Sequence, residues 1–470
     1  MTSLDQVRRQ IRRKSRNRDV ARTPKLGSLR LLGAGAAVAA ILGAAVLYVL
    51  LARLLGVDWY LKPPGDRQPT IPIADQQKLL ADLVKIALGL AAGIGAAFAL
   101  VVGYRRARVE EASSHRDDRR LFSSRYQDAA DLIGNEKPAV RLAGIYAMAR
   151  LADDWEEQQQ QCIDVLCAYL RLPYEPVESD PGEREVRLTI IRLITAHLLP
   201  SATQSWQGRD LHFTGAVFDG GDFRHAVFSG GEVNFSEAQF SGGKVDFTGA
   251  QFSGSTVDFI NTQFSGGNVS FRGAKFSGGN VSFRGAKFSG GMVEFAQAQL
   301  CGGEVDFSHA QLSGGDVVFT ATLFSGADVR FRLTRFLGSD VHFNLAQFSG
   351  GTVDFSGAEF SSGTVDLNDA LFFGSTVKVS EAHFSGGTVD FNHAQFSGGI
   401  VVFIRPSFFS GTLDFGQAQF SGGIVHFDFS EDSFVEGTVN LSETLLDANG
   451  VKPSGLPTGA IAGLQLPNWL

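Results

Sequence analysis

The amino-acid sequence predicts a mixed fold: a transmembrane helical hairpin with two spans, a small all-α domain, and a long solenoid of short β-strands. Three observations predict it. Two long runs without charge lie within the first 104 positions, apolar residues recur at helical spacing up to about residue 200, and 37 of the 39 Phe lie between Phe213 and Phe434. One aromatic residue segregated in this way indicates a repeat. The predicted segments are a basic tail (1–30), the hairpin (31–104), a helical domain (105–205), the repeat (208–442) and a C-terminal tail or cap (443–470).

The two uncharged runs are long enough to cross a bilayer. They cover residues 31–51 and 86–104, which are 21 and 19 residues long, and an α-helix rises 1.5 Å per residue against ~30 Å of hydrocarbon. A signal peptide is the alternative for the first run, and a buried globular helix is the alternative for the second. Neither run contains a charged residue, so nothing indicates a transport pathway, and we interpret the hairpin as an anchor.

The basic residues predict the orientation of the hairpin. Residues 1–30 contain ten Lys/Arg and two acidic residues, whereas the connecting segment 57–77 contains one Lys and one Arg. Three arginines follow the second run (Arg105, Arg106 and Arg108). The positive-inside rule then places both termini in the cytoplasm of a multi-pass cell-membrane protein. The basic tail is interpreted as a topology signal that also attracts anionic lipid, with nucleic-acid binding as the alternative.

The middle of the chain predicts short helices. Pro138 stands where the first turn of a helix is expected, and apolar stripes follow at 139–151, 162–172 and 185–199. Cys162 and Cys167 are interpreted as core residues, because a zinc site would need two more ligands at suitable spacing. With only three Cys in the chain, a disulfide framework is excluded and a reducing compartment is indicated.

A twelve-residue repeat then occupies nearly half of the chain. An apolar residue recurs every twelve positions from Phe228 to Phe420, and a second series runs seven residues behind it, from Phe235 to Phe427. The unit is A-x-F-S-G-G-x-V-x-F-x-x, and residues 268–279 are identical to residues 280–291. Each A-x-F and V-x-F predicts a short strand, and Ser-Gly-Gly predicts a turn with positive φ. A twelve-residue unit cannot bury its own Phe, so the units must stack.

The beginning of the repeat resembles a known family. Four Phe are spaced by five residues (Phe213, Phe218, Phe223 and Phe228), which is similar to the pentapeptide-repeat family, whose unit is roughly A-[DN]-L-x-x with Leu or Phe at the centre. Each twelve-residue unit holds two such pentapeptides and two extra residues at one corner. The resemblance covers residues 208–442 and implies a right-handed, four-sided parallel β-helix. The coil would contain about 24 residues, because a 12-residue coil could not enclose stacked Phe rings. The chain departs from the family in its corner insertions and in its many Val and Phe.

The sequence predicts a protein without enzymatic activity, cofactor or metal. It contains no nucleophile elbow, phosphate-binding Gly loop or metal-ligand cluster. We therefore expect a membrane-tethered scaffold that presents a rigid β-helix to an unknown protein partner. The bilayer is the other partner, and a homo-oligomer is possible because many members of the resembled family pair end to end.

Two alternatives remain open. Some members of the family mimic DNA and act on DNA gyrase. That function needs a continuous acidic face. In the sequence, this face is interrupted by Lys244, Arg330, Lys378 and a basic band (Arg272, Lys275, Arg284 and Lys287). An anchored body would also be held away from the nucleoid, so a nucleic-acid partner is not expected. The second alternative is a β-helix enzyme that acts on carbohydrate, which would need grouped carboxylates and basic residues in a cleft.

Stacking at 24 residues per coil predicts two candidate surfaces. Leu323 and Leu371 fall on one face with Gln347 between them, and Phe373 lies at the adjacent corner, so these apolar residues form a candidate partner patch. Three carboxylates, ~5 Å apart, form a candidate acidic ladder that a cation or a basic partner could neutralise (Asp366, Asp390 and Asp414). Ordinary surface variation and a solvated acidic face are the respective alternatives.

Overall fold

The structure of the chain is a computed structural model. It describes residues 73–176, 181–254, 256–446, 452–457 and 461–468, together with separate positions between 38 and 53. The chain divides into two compact units, Met1–Arg120 and Leu121–Leu470. Helix α1 spans Ile73–Ile133, so its residues contribute to both units.

The first unit contains one candidate membrane span among its described residues. The stretch Val84–Arg108 of α1 is long and apolar enough to cross a membrane, while the apolar helix Ile41–Leu50 is shorter. The apolar side chains of the candidate span are exposed, as at Leu88 and Leu100. Most of the predicted first span, 31–51, and the basic tail lie outside the described residues. The two-span hairpin therefore stays a prediction.

The second unit begins with a small helical region. The end of α1 is followed by α2 (Pro138–Asp154), a 3-10 turn (Glu156–Gln158), α3 (Gln159–Leu170) and α4 (Pro181–Leu198). Pro138 occupies the first turn of α2, as predicted, where the missing N–H would have no intrahelical partner. Cys162 and Cys167 are buried, and burial raises the pKa of each thiol to about 12. These thiols therefore contribute to packing.

The remainder of the second unit is a parallel β-solenoid of about ten coils. Phe240 is paired with Phe264 and Phe264 with Phe288, so the register advances by 24 residues per coil, as predicted. The first coil is shorter, because Leu211 pairs with Val233, and the last is longer, because Leu413 pairs with Val439. The regular middle therefore carries two twelve-residue units in each coil.

Four columns of parallel strands form the walls, and they are numbered here in the order in which the chain reaches them. Column 1 contains β1 (Leu211–His212), β5 (Glu232–Asn234), β9 (Thr256–Asp258), β13 (Val281–Ser282), β16 (Glu304–Asp306), β19 (Asp328–Arg330), β23 (Thr352–Asp354), β27 (Thr376–Ser380), β31 (Ile400–Ile404) and β35 (Ile424–Asp428). Column 4 contains β4 (Val227–Ser229), β8 (Gln251–Ser253), β12 (Lys275–Ser277), β15 (Gln299–Cys301), β18 (Leu323–Ser325), β22 (Gln347–Ser349), β26 (Leu371–Phe373), β30 (Gln395–Ser397), β34 (Gln419–Phe420) and β37 (Leu445–Leu446).

Columns 2 and 3 are joined by two long strands that continue around their common corner, β14 (Lys287–Glu294) and β17 (Gln311–Val318). Column 2 also contains β2 (Val217–Phe218), β6 (Gln239–Phe240), β10 (Gln263–Ser265), β20 (Arg335–Leu337), β24 (Glu359–Ser362), β28 (His383–Phe384) and β32 (Ser407–Phe408). Column 3 also contains β3 (Gly221–Asp222), β7 (Lys244–Asp246), β11 (Asn268–Ser270), β21 (Val341–His342), β25 (Thr364–Asp366), β29 (Thr388–Asp390), β33 (Thr412–Asp414), β36 (Thr438–Asn440) and β38 (Leu464–Gln465). The outward side chains of each column form the face of the same number.

The core of the solenoid consists of stacked Phe rings. The ring of Phe264 is fully buried and lies 5.0 Å from the ring of Phe240 and 4.8 Å from that of Phe288, nearly parallel to both. Phe252, twelve residues from Phe240, stacks instead on Phe228 and Phe276 in column 4. This confirms that residues 24 apart stack and that residues 12 apart lie in different columns.

Both ends of the solenoid are covered by its own chain. At the first coil, side chains of the helical region donate to exposed backbone carbonyls, as from Thr195 Oγ1 to the oxygen of Asp222 at 2.7 Å and from Gln160 Nε2 to that of Asp210 at 2.9 Å. At the last coil, Ser454 exchanges two backbone hydrogen bonds with β35, and β38 pairs with β36. Several apolar side chains of the tail pack against the core there (Leu456, Ile461, Leu464 and Leu466).

Candidate functional site

Face 4 carries the candidate partner patch in the register that the sequence predicts. Leu323 is the strand partner of Gln347, and Gln347 is the partner of Leu371. Phe373 follows in the same strand as Leu371, opposite Ser349, and is 43% exposed. Leu323 and Leu371 are half-buried by their neighbours. The structure therefore places these three apolar residues together on one wall.

Face 4 is nearly free of charge along its whole length. The outward residue one position before the buried apolar residue of each strand is charged in one of the ten coils; in order these residues are Val227, Gln251, Lys275, Gln299, Leu323, Gln347, Leu371, Gln395, Gln419 and Leu445. In the nine coils from Ser229 to Ser421, the residue after the buried one is uncharged, and in seven of them it is Ser. Protein interfaces are depleted of charge at their centres because buried charges must lose their hydration. The face therefore shares one property with the centres of protein interfaces, the scarcity of charge.

The acidic ladder lies on face 3. Asp366, Asp390 and Asp414 are successive strand partners, as predicted. Each carboxylate accepts a hydrogen bond from the backbone N–H two residues further on, at 2.9, 2.8 and 2.9 Å. Each also accepts one from the side-chain amide of an Asn, at 2.6 to 2.8 Å. The ladder is therefore partnered within the chain and contributes to the corner turns, which the sequence interpretation of unpaired carboxylates missed.

Repulsion nevertheless remains within the ladder. Burial is the main cause that raises the pKa of Asp390 above its ordinary value, and the neighbouring charges of Asp414 and Asp366 raise it further, against hydrogen bonds from Asn392. The negative charge of Asp390 is thus unfavourable in the fold.

The acidic face is more continuous than the sequence suggests. Arg330 and Lys378 lie in column 1, and Lys244 belongs to β7, near the start of column 3. From β17 to the end of column 3, the described outward positions contain no Lys or Arg and seven acidic residues (Asp316, Asp340, Asp366, Asp369, Asp390, Asp414 and Glu443). Of the interruptions expected from the sequence, Arg330 and Lys378 therefore lie on a different wall.

A groove of about 290 Å³ lies between faces 1 and 2. Its lining includes Arg284, Arg330 and Arg332 beside Asp306. Arg330 pairs with Glu304, and Arg332 lies 3.7 Å from a carboxylate oxygen of Asp354. Carboxylates of the chain itself thus balance most of this positive charge. Within the described part of the chain, no group of three His, Cys, Asp or Glu could hold a metal ion.

The fold and its repeat define the class of the protein, a parallel β-solenoid built from short coils with a Phe-stacked core. The family model described as Pentapeptide repeats (9 copies) matches residues 242–286. Together with the 24-residue coil of two pentapeptide pairs, this match shows that the solenoid contains pentapeptide repeats. No curated protein and no solved structure matches the chain.

Proposed function

We propose that this protein is a membrane-tethered scaffold without enzymatic activity, which presents face 4 of a rigid solenoid to a protein partner in the cytoplasm. The scarcity of charge on face 4, where Lys275 is the one charged strand residue, is the observation that carries the proposal, since binding there strips little hydration from ionised groups. The pentapeptide repeats of the solenoid support a role in interaction. The apolar stretch Val84–Arg108 supports the tether.

The binding surface is tested by a triple variant, Leu323→Ser, Leu371→Ser and Phe373→Ser. Cross-linking in intact cells, followed by purification of the full chain from detergent-solubilised membranes, should capture a neighbour that the triple variant loses. The matched control replaces three apolar residues that are exposed on other columns, Leu333→Ser, Phe409→Ser and Ile424→Ser. Equal loss in both variants, or an unchanged neighbour in the first, would remove face 4 as the binding surface.

The tether has its own test. The proposal keeps two spans with both termini in the cytoplasm, as the distribution of basic residues predicts. A reporter that is active only outside the cytoplasm should be active when fused after Pro69 and silent when fused at Leu470. Activity at Leu470 with silence after Pro69 would reverse the topology and make a cytoplasmic partner impossible.

A second candidate function is DNA mimicry directed at DNA gyrase, which the run of seven carboxylates on face 3 favours. Six strands make five spacings of ~4.8 Å, so that run is ~24 Å long. Like-signed carboxylates repel each other in the same way as backbone phosphates. Purified full-length protein should then inhibit supercoiling by gyrase. A variant with Asp366→Asn, Asp390→Asn and Asp414→Asn should lose that inhibition, whereas no inhibition by the wild type rejects this candidate.

A further inference from the structure

We propose that the partner of face 4 is face 4 of a second copy of this chain, with the two solenoids antiparallel. The twofold axis lies between the two copies and is parallel to strand β22, which contains Gln347. This inference shares face 4 with the proposed function but commits to one occupant, the chain itself. Symmetry, charge and area on face 4 each support it.

Symmetry is the first argument. Leu323 and Leu371 lie one coil on either side of Gln347 in the strand register. The proposed axis therefore brings Leu323 of each copy onto Leu371 of the other, and this contact forms twice. The same operation places the protruding ring of Phe373 over Ser325, whose small side chain leaves room for it. A surface that complements itself in this way is the requirement for a twofold dimer.

Charge is the second argument. Residues 213–443 contain 24 acidic and 11 basic residues, so two copies repel each other along most orientations. On face 4 the one charged strand residue, Lys275, would lie opposite Gln419 rather than opposite another charge. Gln meets Gln where Gln299 lies opposite Gln395 and where Gln347 meets its own copy on the axis. Because an amide side chain both donates and accepts hydrogen bonds, a row of Gln can pair with an identical row.

Area is the third argument. The axis at Gln347 brings nine of the ten strands of column 4 opposite one another, from β8 to β37. Nine strands make eight spacings of ~4.8 Å, and a face about three residues wide with its corner measures ~13 Å, so the shared face is about 38 by 13 Å. Two such faces would bury about 1,000 Å², which reaches the ~1,000 Å² expected of a specific interface. The dimer therefore needs all nine opposed strands, with the two leucines near their centre.

The test uses a cysteine placed close to the axis in the full chain, purified in detergent. In a Cys301→Ser background, which removes the exposed native thiol, Ser349→Cys should form a disulfide-linked dimer. Ser361→Cys, at the matching position after a buried Phe in column 2, should stay monomeric. Gln347→Glu should lower cross-linking through Ser349→Cys at least tenfold, because the two carboxylates would meet at the axis. Gln311→Glu, on face 2, should leave it unchanged.

Two results would overturn the inference. One is a monomer in analytical ultracentrifugation together with no cross-link through Ser349→Cys. The other is cross-linking that Gln347→Glu leaves unchanged, which would show random collision rather than this interface. If the chain is monomeric while the Leu323→Ser, Leu371→Ser and Phe373→Ser variant loses a different protein, face 4 remains a scaffold surface and only the self-association is rejected.

Discussion

Replacing Phe264 by Ala should open the solenoid locally and by a predictable amount. The ring is fully buried between two parallel rings at 5.0 and 4.8 Å. Its strand is paired on both sides, with β6 and with β14, so the walls cannot close around the cavity. Phe→Ala in such a core costs about 3–5 kcal/mol. Since 1.4 kcal/mol changes an equilibrium constant tenfold, opening of the adjacent coils should become more frequent by a factor of about 10² to 4 × 10³.

Hydrogen–deuterium exchange of the full chain measures this opening coil by coil. Faster exchange should centre on the strands that contain Phe240 and Phe288. It should decrease with distance along the solenoid and be small in distant coils such as the one that contains Phe396, because each coil contacts only its neighbours. Gln263→Ala is the matched control, since Gln263 precedes Phe264 in the same strand but is exposed. Equal exchange in both variants would refute the account of the stacked core, and a uniform rise along the solenoid would refute its local cooperativity.

Three further predictions concern a corner, the ladder and the first coil. Gly303→Ala should lower the melting temperature far more than Gly302→Ala. Both residues have φ near +70°. A Cβ added at Gly303 would lie 2.2 Å from the backbone oxygen of Gly279, whereas a Cβ added at Gly302 would meet open space. Asp390→Asn should raise the melting temperature at pH 7, because the raised pKa of Asp390 means that its negative charge is unfavourable in the folded state. As the pH falls, the wild-type carboxyl takes up a proton and becomes neutral, so the gain from the substitution should shrink. Thr195→Val should cost about 1 kcal/mol, measured as faster amide exchange in residues 211–223, because the Asp222 carbonyl loses its donor. Equal melting for the two Gly variants, a stabilisation by Asp390→Asn that grows in acid, or unchanged exchange in the Thr195 variant would contradict these accounts.

The repeat allowed much of the solenoid to be predicted from the sequence, but one set of corners was missed. The spacing of Phe predicts both the 24-residue register and the separation of Phe240 from Phe252. The other set of turns follows each V-x-F strand, as where the N–H of Ala310 donates to the oxygen of Phe307 at 3.0 Å. Its left-handed position is His309, with φ near +61°. Because non-Gly residues such as this one fill most of these positions, no Gly signal marks them in the sequence.

The candidate site was predicted in part, for a similar reason. Leu323 and Leu371 stand out in the sequence because they are apolar at outward positions. The scarcity of charge on face 4 is harder to see, since its residues are 24 apart and alternate with residues of face 2. The hydrogen bonds of Asp390 depend on the bend of the chain two residues later, which a pattern of outward side chains does not describe. Sorting the outward positions by column would have found the first of these features but not the second.

The covered ends of the solenoid decide where another molecule can bind. Open strand edges are the usual site of self-association in β-proteins, because their N–H and C=O groups lack partners. Here Thr195 and Gln160 contribute hydrogen bonds at the first coil, and Ser454 contributes at the last. An end-to-end pairing of the kind known in this family would have to displace these contacts, whereas a contact through a wall would leave them intact. Among the four walls, face 4 is the one that a second molecule can cover without removing water from a row of charges. Because the ends of the solenoid are already covered, we expect association to occur through the side chains of face 4.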